Sequence, residues 1–466
     1  MMSWATVFQL RQYSKASLWI VPLLGFVFGA LLADAAVWLD TNVDAPPGWE
    51  YSATTASSVL SSIVGAMVAL LGFVVTIGVL VVQQATGTLS PRYMRLWYRD
   101  RLQKAVLATF TGTFAFSFSL LRNVEADFVP DIGVTLAGAA VAVSLVLLLV
   151  YLNRFTHNLR PVAIASLVVR SGQRVLDRGT APARSGTLRP AAPGGEPLPA
   201  RPAAGSVTPV VTERGGTVQG LQVARLRAAA ERYDCVLVLP MRIGDFVPPG
   251  ATLIEIHGET RPDPRALSGY IALGVERTIE QDPAFALRIL VDIAIRALSP
   301  AVNDPTTAVQ VLNHIEAFLH TVGRMELAPD HVAHDSRGLP RLVVPGRSWE
   351  DFFELAVTEI REYGSSSIQV CRRLRAVLHG LLAVLPEDRA VTIRTELGLL
   401  DSAVRQAFPD PVRQAMALTP DRQGIGGGTG GAGSDAPGTD GRAGSGEAAD
   451  GTIGQGGRRP PPPTGP

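Results

Sequence analysis

Lysine is almost missing: the chain has 42 basic side chains, and only Lys15 and Lys104 are lysines. Covalent attachment of biotin or lipoate is therefore excluded beyond residue 104. Cysteine is scarce too. Cys235 and Cys371 stand far apart, too few for a disulfide framework or a cysteine-built metal site, and both are expected as buried free thiols. Charge of one sign is also lacking, since 42 basic against 41 acidic residues give a net charge of +1. That balance excludes the basic stripe of a nucleic-acid binder, so no nucleic-acid partner is expected. A phosphate loop, G-x-S-x-G, H-E-x-x-H and a usefully spaced Cys/His pair are all absent. No catalytic, cofactor-binding or metal-binding residue is named on this basis, and no cofactor is expected. One nominal G-x-G-x-x-G, at Gly426, Gly428 and Gly431, has neither a strand before it nor a helix after it and carries no meaning.

Long apolar runs, by contrast, crowd the first third. Four pass the length of roughly 20 residues that a membrane helix requires, at 18–39, 57–82, 105–121 and 132–152. In the first, Trp19 and Trp38 stand about 28 Å apart along a helix, the spacing of an interfacial aromatic pair. Asp34 lies about one turn from the outer end, at the level of the headgroups. Arg11 and Lys15 precede the first run, and Arg92 to Lys104 separate the second from the third. Arg154 and Arg160 follow the fourth, while the other two loops are acidic. The positive-inside rule then places both termini in the cytoplasm of a bacterial inner membrane, with the large C-terminal part beside them.

Two faces in this region are readable. Along the second run Ser57, Ser61, Gly65, Ala69, Gly72 and Thr76 form a small-residue strip, either a helix-packing face or a pore- or subunit-facing one. A homo-oligomer is the expectation that follows. Along the third, Thr109, Thr113 and Ser117 form a hydroxyl strip expected to pack within the bundle. The connecting stretch 89–101 has Ser90 before Pro91, a helix start, and then Arg92, Arg95 and Arg99. It reads as a short helix on the inner leaflet, its arginines meeting anionic lipid headgroups.

The remainder is organised as a linker over 171–205, a small β-rich segment over 206–260, a helical segment over 268–410 and a Gly/Ser/Pro tail over 419–466. The fold class is thus mostly α: a four-helix membrane bundle plus an α+β domain. In the β-rich segment Gly244, Val247, Gly250 and Leu253 match a G-x-x-V-x-x-G-x-x-L pattern that is similar to biotinyl/lipoyl-type modules, which implies a small barrel or sandwich. In the helical segment Asp282-Pro283 and Asp304-Pro305 are helix starts, with helices over 283–298 and 305–319. Arg288, Asp292 and Arg296 recur every four residues, and an upstream helix is expected to present Glu276, Arg277 and Glu280. With Asp282, Asn303 and Asp304 these form a packing network, a ligand or ion site for a ligand the sequence does not identify, or a subunit interface. His331, His334 and Asp335 fall in what reads as a polar loop, where chance clustering outweighs metal binding. Ser348 and Asp351 mark the start of a helix over 349–363, with further helices over 366–384 and 387–408.

Three runs, TLSPRYMRLWYRD, GDFVPPGATL and GVERTIEQDPAFALRILVDIAIRALSPAVNDPTTAVQ, give the chain a family likeness. It resembles the bacterial predicted membrane proteins called domain of unknown function 2254, over roughly residues 10–410. The resemblance implies a multi-pass membrane protein and carries no catalytic residue. Three functions stay open: an oligomeric channel-like or sensing protein regulated by its cytoplasmic domain, a scaffold that docks partners on its charged helix face, and a membrane-anchored enzyme drawing an acid/base pair from Glu276, Glu280 and Asp292.

Overall fold

The computed structural model describes residues 3–43, 49–88, 92, 100–158, 161–180, 189–190, 207–260 and 262–423. Most of the stretch 89–101, the greater part of the linker and the tail from 424 on lie outside the described residues, and Arg95 and Arg99 with them.

A helix not foreseen from the sequence, α1 (Trp4–Ala16), opens the chain, capped by Ser3 on the Thr6 N–H. Four long apolar helices follow: α2 (Ile20–Asn42), α3 (Ala53–Thr88), α4 (Arg101–Leu121) and α5 (Asp131–Asn158). Each is long and apolar enough to cross a membrane, matching the four runs. Helix α4 is the hub, burying Val106, Phe110, Thr113, Phe116, Ser117 and Leu120 among the other three. The closest approach joins α2 and α4. A Cβ on Gly25 would stand 2.4 Å from the Ala108 carbonyl oxygen, and one on Gly29 would stand 2.1 Å from that of Gly112. Only residues without bulk let two backbones come so near.

The small-residue strip of α3 does not make that contact. Ser61, Gly65, Ala69, Gly72 and Thr76 are exposed and Ser57 is half-buried, while Ala56, Leu60, Ile63, Met67 and Val74 turn inward. A side chain added at Gly65 or Gly72 would meet nothing within 4 Å. The hydroxyl strip of α4 does pack inward, with Thr113 Oγ1 3.3 Å from Ser144 Oγ and Ser117 fully buried. At the far end of the bundle Asp40 accepts from the Ile132 and Gly133 amides at 2.8 and 3.1 Å, capping the start of α5.

Past α5 the chain enters α6 (Pro161–Thr180), which runs ten residues into the stretch read as linker. Its apolar stripe of Ile164, Ala165, Val168, Val169 and Leu176 is buried in the helical core of the extramembrane domain. Composition alone, rich in Arg and Gly, concealed that stripe.

The β-rich part is two open sheets, one six-stranded and mixed and one three-stranded and antiparallel, rather than a closed barrel. Its strands are β1 (Arg189–Pro190), β2 (Val207–Val211), β3 (Gly216–Leu221), β4 (Val236–Val238), β5 (Phe246–Val247), β6 (Thr252–His257), β7 (Ile271–Gly274), β8 (Asp330–His334) and β9 (Pro340–Pro345). One sheet has the order β1-β8-β9-β4-β6-β2 and the other β5-β3-β7. Strands β8 and β9 replace the expected polar loop, and β9 pairs parallel to β4. Helices α7 (Val223–Arg232) and α8 (Pro264–Ser268) cover this core through Leu226, Ala230 and Leu267.

Six more helices complete the domain: α9 (Pro283–Ala297), α10 (Pro305–Gly323), α11 (Trp349–Gly364), α12 (Ile368–Val384), α13 (Glu387–Ala407) and α14 (Pro411–Leu418). The first five lie within a few residues of their expected bounds. Asp304 caps α10 through the Thr307 N–H at 3.0 Å, and Ser348 and Asp351 close the full capping box of α11. Helix α9 is the most central. Phe285, Leu287, Leu290, Val291 and Ala294 are all buried against α6, α10 and α11.

Candidate functional site at the bundle–domain junction

Two charged residues that flank the apolar helices, Lys15 and Arg92, reach one segment of the domain, the loop 275–282 and helix α9. This loop is not the helix expected from the i, i+4 spacing of Glu276 and Glu280; it is an extended turn. Its shape follows from side-chain bonds to neighbouring strands. Gln219 of β3 donates to the Glu276 carbonyl oxygen at 2.7 Å, and Gln281 accepts from the Leu221 N–H at 2.9 Å. Lys15, at the end of α1, lies 3.6 Å from Glu280. Helix α1 itself is fixed to the domain by the Ala5 N–H on the Gly269 carbonyl at 2.9 Å and by Gln9 on the Leu273 carbonyl.

Asp282 was expected to cap α9, but its side chain makes no capping bond. Arg277 takes it instead, donating from Nη2 and Nε at 2.7 and 3.0 Å, while the guanidinium stands 5.2 Å over the Phe285 ring. Burial pushes the Asp282 carboxyl above the usual carboxylate range, and the Arg277 charge and hydrogen bonds oppose it. The turn 242–245 closes over this pair. Gly244 has φ +98°, and a Cβ there would stand 2.4 Å from Asp282 Oδ2. Only glycine meets both demands.

Two turns along α9, Asp292 is buried. Arg288 Nε donates to its Oδ1 at 2.8 Å, and Arg92, from the connection between α3 and α4, donates to its Oδ2. Arg288 also forks onto Glu359 of α11, at 2.5 and 2.8 Å, and these bonds raise its pKa. Arg296, one turn further on, is exposed. Of the expected stripe, Arg288 and Asp292 pair, and each has a partner the spacing could not name: Glu359, 71 residues from Arg288, and Arg92, 200 residues from Asp292.

The expected set does not converge into one ligand site. Asn303 and Asp304 follow the C-terminal end of α9, about 22 Å along the helix from Asp282 by the usual rise. Asn303, at φ +47°, turns the chain there, its N–H on the Ser299 carbonyl at 2.8 Å. Asp282 and Asp292 are both occupied by guanidiniums, which leaves neither poised as a general base. Among the described residues no three His, Cys, Asp or Glu side chains come together to hold a metal ion. Asp335 instead organises the β8–β9 turn, accepting from the Arg337 and Leu339 amides and from Arg341, all at 2.9 Å. Cys235 and Cys371 are buried free thiols, and burial pushes Cys371 up to about 12.

Comparison with known proteins agrees with this architecture. The family described as "Predicted membrane protein (DUF2254)" matches residues 15–380, from the end of α1 into α12. The chain belongs to the DUF2254 family. The uncharacterized protein Rv1290c of Mycobacterium tuberculosis is 30% identical over 433 residues, 87% of this chain and 80% of its own length. The uncharacterized protein Mb1321c of Mycobacterium bovis matches with the same identity and coverage. No solved structure matches. Within DUF2254 the matched stretch takes in all four apolar helices and the whole junction segment.

Proposed function

We propose that this DUF2254 protein is a non-enzymatic, oligomeric protein of the bacterial inner membrane, channel-like or sensing, in which the extramembrane domain relays its state to the bundle. Both termini and the domain lie in the cytoplasm in this reading, which the distribution of Arg and Lys among the loops supports. The observation that carries the relay is the bond from Arg92 to Asp292, which ties the connection between α3 and α4 to the central helix of the domain. Val82 of α3 adds to it by packing against the domain's helical core. The outward strip Ser61, Gly65, Ala69, Gly72 and Thr76 is the face on which a second copy packs or a pore opens. A scaffold reading loses its docking surface, because Arg288 and Asp292 are engaged internally.

The test is hydrogen exchange on the full chain in nanodiscs, wild type against Arg92→Gln. The relay requires faster exchange both in α9 and in the lower half of α3. A change confined to one side retires it. Mass photometry of the same samples should give a multiple of 49.4 kDa, and a monomer at every concentration removes the oligomer. Ion flux through proteoliposomes tests the pore: none from either protein removes the channel form.

A further inference from the structure

A groove of about 1330 Å³ lies between α1 and the sheet edges and reaches the start of the junction loop at Val275 and Glu276. On one side it is lined by Gln9, Gln12, Tyr13 and Ala16, which share one face of α1 at i, i+3, i+4 and i+7. The groove therefore follows the helix to Ala16, four residues before Ile20 begins the first apolar span. At that end Trp19 is exposed and its indole N–H lies 3.4 Å from the Tyr13 hydroxyl, an aromatic pair of the kind found at the headgroup level.

The groove is amphiphilic. Val210, Val211, Leu253, Ile271 and Leu273 supply apolar wall. Arg214 and Arg265 line it as well, together with Glu213 and Glu276, and among the described residues neither guanidinium is ion-paired to a carboxylate. Less exposed arginines of the domain are ion-paired, as Arg242, Arg277, Arg288, Arg341, Arg361 and Arg373 are, whereas Arg214 and Arg265 are exposed. Two guanidiniums that no carboxylate has bonded, over an apolar wall, can donate to a phosphodiester attached to hydrocarbon. The volume exceeds the roughly 300–1,000 Å³ of ordinary small-molecule sites, which leaves room for acyl chain beside a headgroup and its glycerol.

We propose that this groove binds a membrane phospholipid, its phosphate held by Arg214 and Arg265 and its glycerol and upper acyl chain against Val210, Ile271 and Leu273. The lipid comes from the leaflet that α1 borders, because the groove ends where the first span starts. The site is separate from the Arg92 connection and does not depend on the relay.

The experiment is native mass spectrometry of the delipidated full chain, titrated with phosphatidylglycerol, with diacylglycerol and with inorganic phosphate. Wild type should hold its tightest phosphatidylglycerol at least about tenfold more strongly than diacylglycerol, because the two guanidinium bonds act only on the phosphate. Millimolar phosphate should leave that lipid in place. Both Arg214→Gln/Arg265→Gln and Ser268→Trp, which fills the groove and keeps the guanidiniums, should lose about tenfold in affinity. Unchanged affinity in the Arg214→Gln/Arg265→Gln protein overturns the site, whatever Ser268→Trp does. Equal binding of diacylglycerol overturns the phosphate clamp, and displacement by inorganic phosphate makes this a free-anion site instead.

Discussion

Replacing Asp292 by alanine probes the strongest physical claim about the junction. The carboxylate is 8% exposed and receives Arg288 Nε at 2.8 Å and Arg92. Breaking a buried ion pair usually costs about 3–5 kcal/mol, because a charge is left without its partner. Here the orphaned charges are better placed than that. Arg288 keeps its fork on Glu359, and the Arg92 side chain is 52% exposed and can take water. What is lost is one charge-assisted bond in a buried setting, about 1.5–3 kcal/mol, and one screened pair worth at most about 1 kcal/mol. The expected cost is thus about 1.5–4 kcal/mol in the full chain. Unfolding of wild type, Asp292→Ala, Arg92→Ala and the double variant in mixed micelles measures it. The cycle should return a coupling of about 0.5–1 kcal/mol between the two residues. A cost below about 0.5 kcal/mol makes Asp292 a surface feature, and strictly additive effects mean that Arg92 is not its partner.

Other outcomes follow from the same structure. Gly29→Val forces bulk into the 2.1 Å gap at Gly112 and should cost about 3 kcal/mol or strip folded protein from the membrane, whereas Gly65→Leu should leave monomer stability unchanged and alter only the oligomer mass. Gly244→Ala combines a left-handed φ with a clash on Asp282 and should destabilise the full chain by about 1–3 kcal/mol, read by thermal unfolding. For Asp335, burial works against the charged form, but the Leu339 amide, Arg341 and the Arg337 amide outweigh it and hold the carboxyl below its usual range. Its contribution is therefore complete above the ordinary aspartate pKa and fades as pH falls through the lowered folded value; Asp335→Asn should flatten that acid limb of the stability profile. Reporter fusions at Gly48 and Phe128 should read as external and fusions after Arg160 as internal; a reversal refutes the proposed orientation. Truncation after Gln423 should leave insertion and folding intact. A cut at Thr419 should leave insertion intact but cost about 1–2 kcal/mol of stability, because Asp421 bonds the Arg372 carbonyl at 3.2 Å and lies 3.6 Å from its guanidinium.

What could be read from the sequence was local. The four apolar runs, the Asp-Pro start of α10 and the Ser348/Asp351 box each depend on residues within a few positions of one another, and they appear where expected. What escaped was set by distant partners. Strands β8 and β9 look polar and loop-like until β9 pairs with β4, about a hundred residues earlier. Glu276 and Glu280 have helical spacing, yet Gln219 and Gln281 hold the segment extended. Asp282 has the form of an N-cap, and Arg277 outcompetes the backbone for it. Of the candidate site, the acidic and basic residues were legible. Their pairing with Arg92 and Glu359 was not, because no spacing rule reaches across 200 or 71 residues.

The length of α3 has a mechanical consequence. Its 36 residues extend about 54 Å, while a bilayer's hydrocarbon core needs only about 30 Å. About 24 Å of helix is therefore more than an upright crossing requires. Even tilted by about 40° the rod would still rise about 41 Å, so part of it stands outside the hydrocarbon. Val82, near its C-terminal end, packs against the domain's helical core, so bundle and domain are joined along one continuous helix as well as through loops.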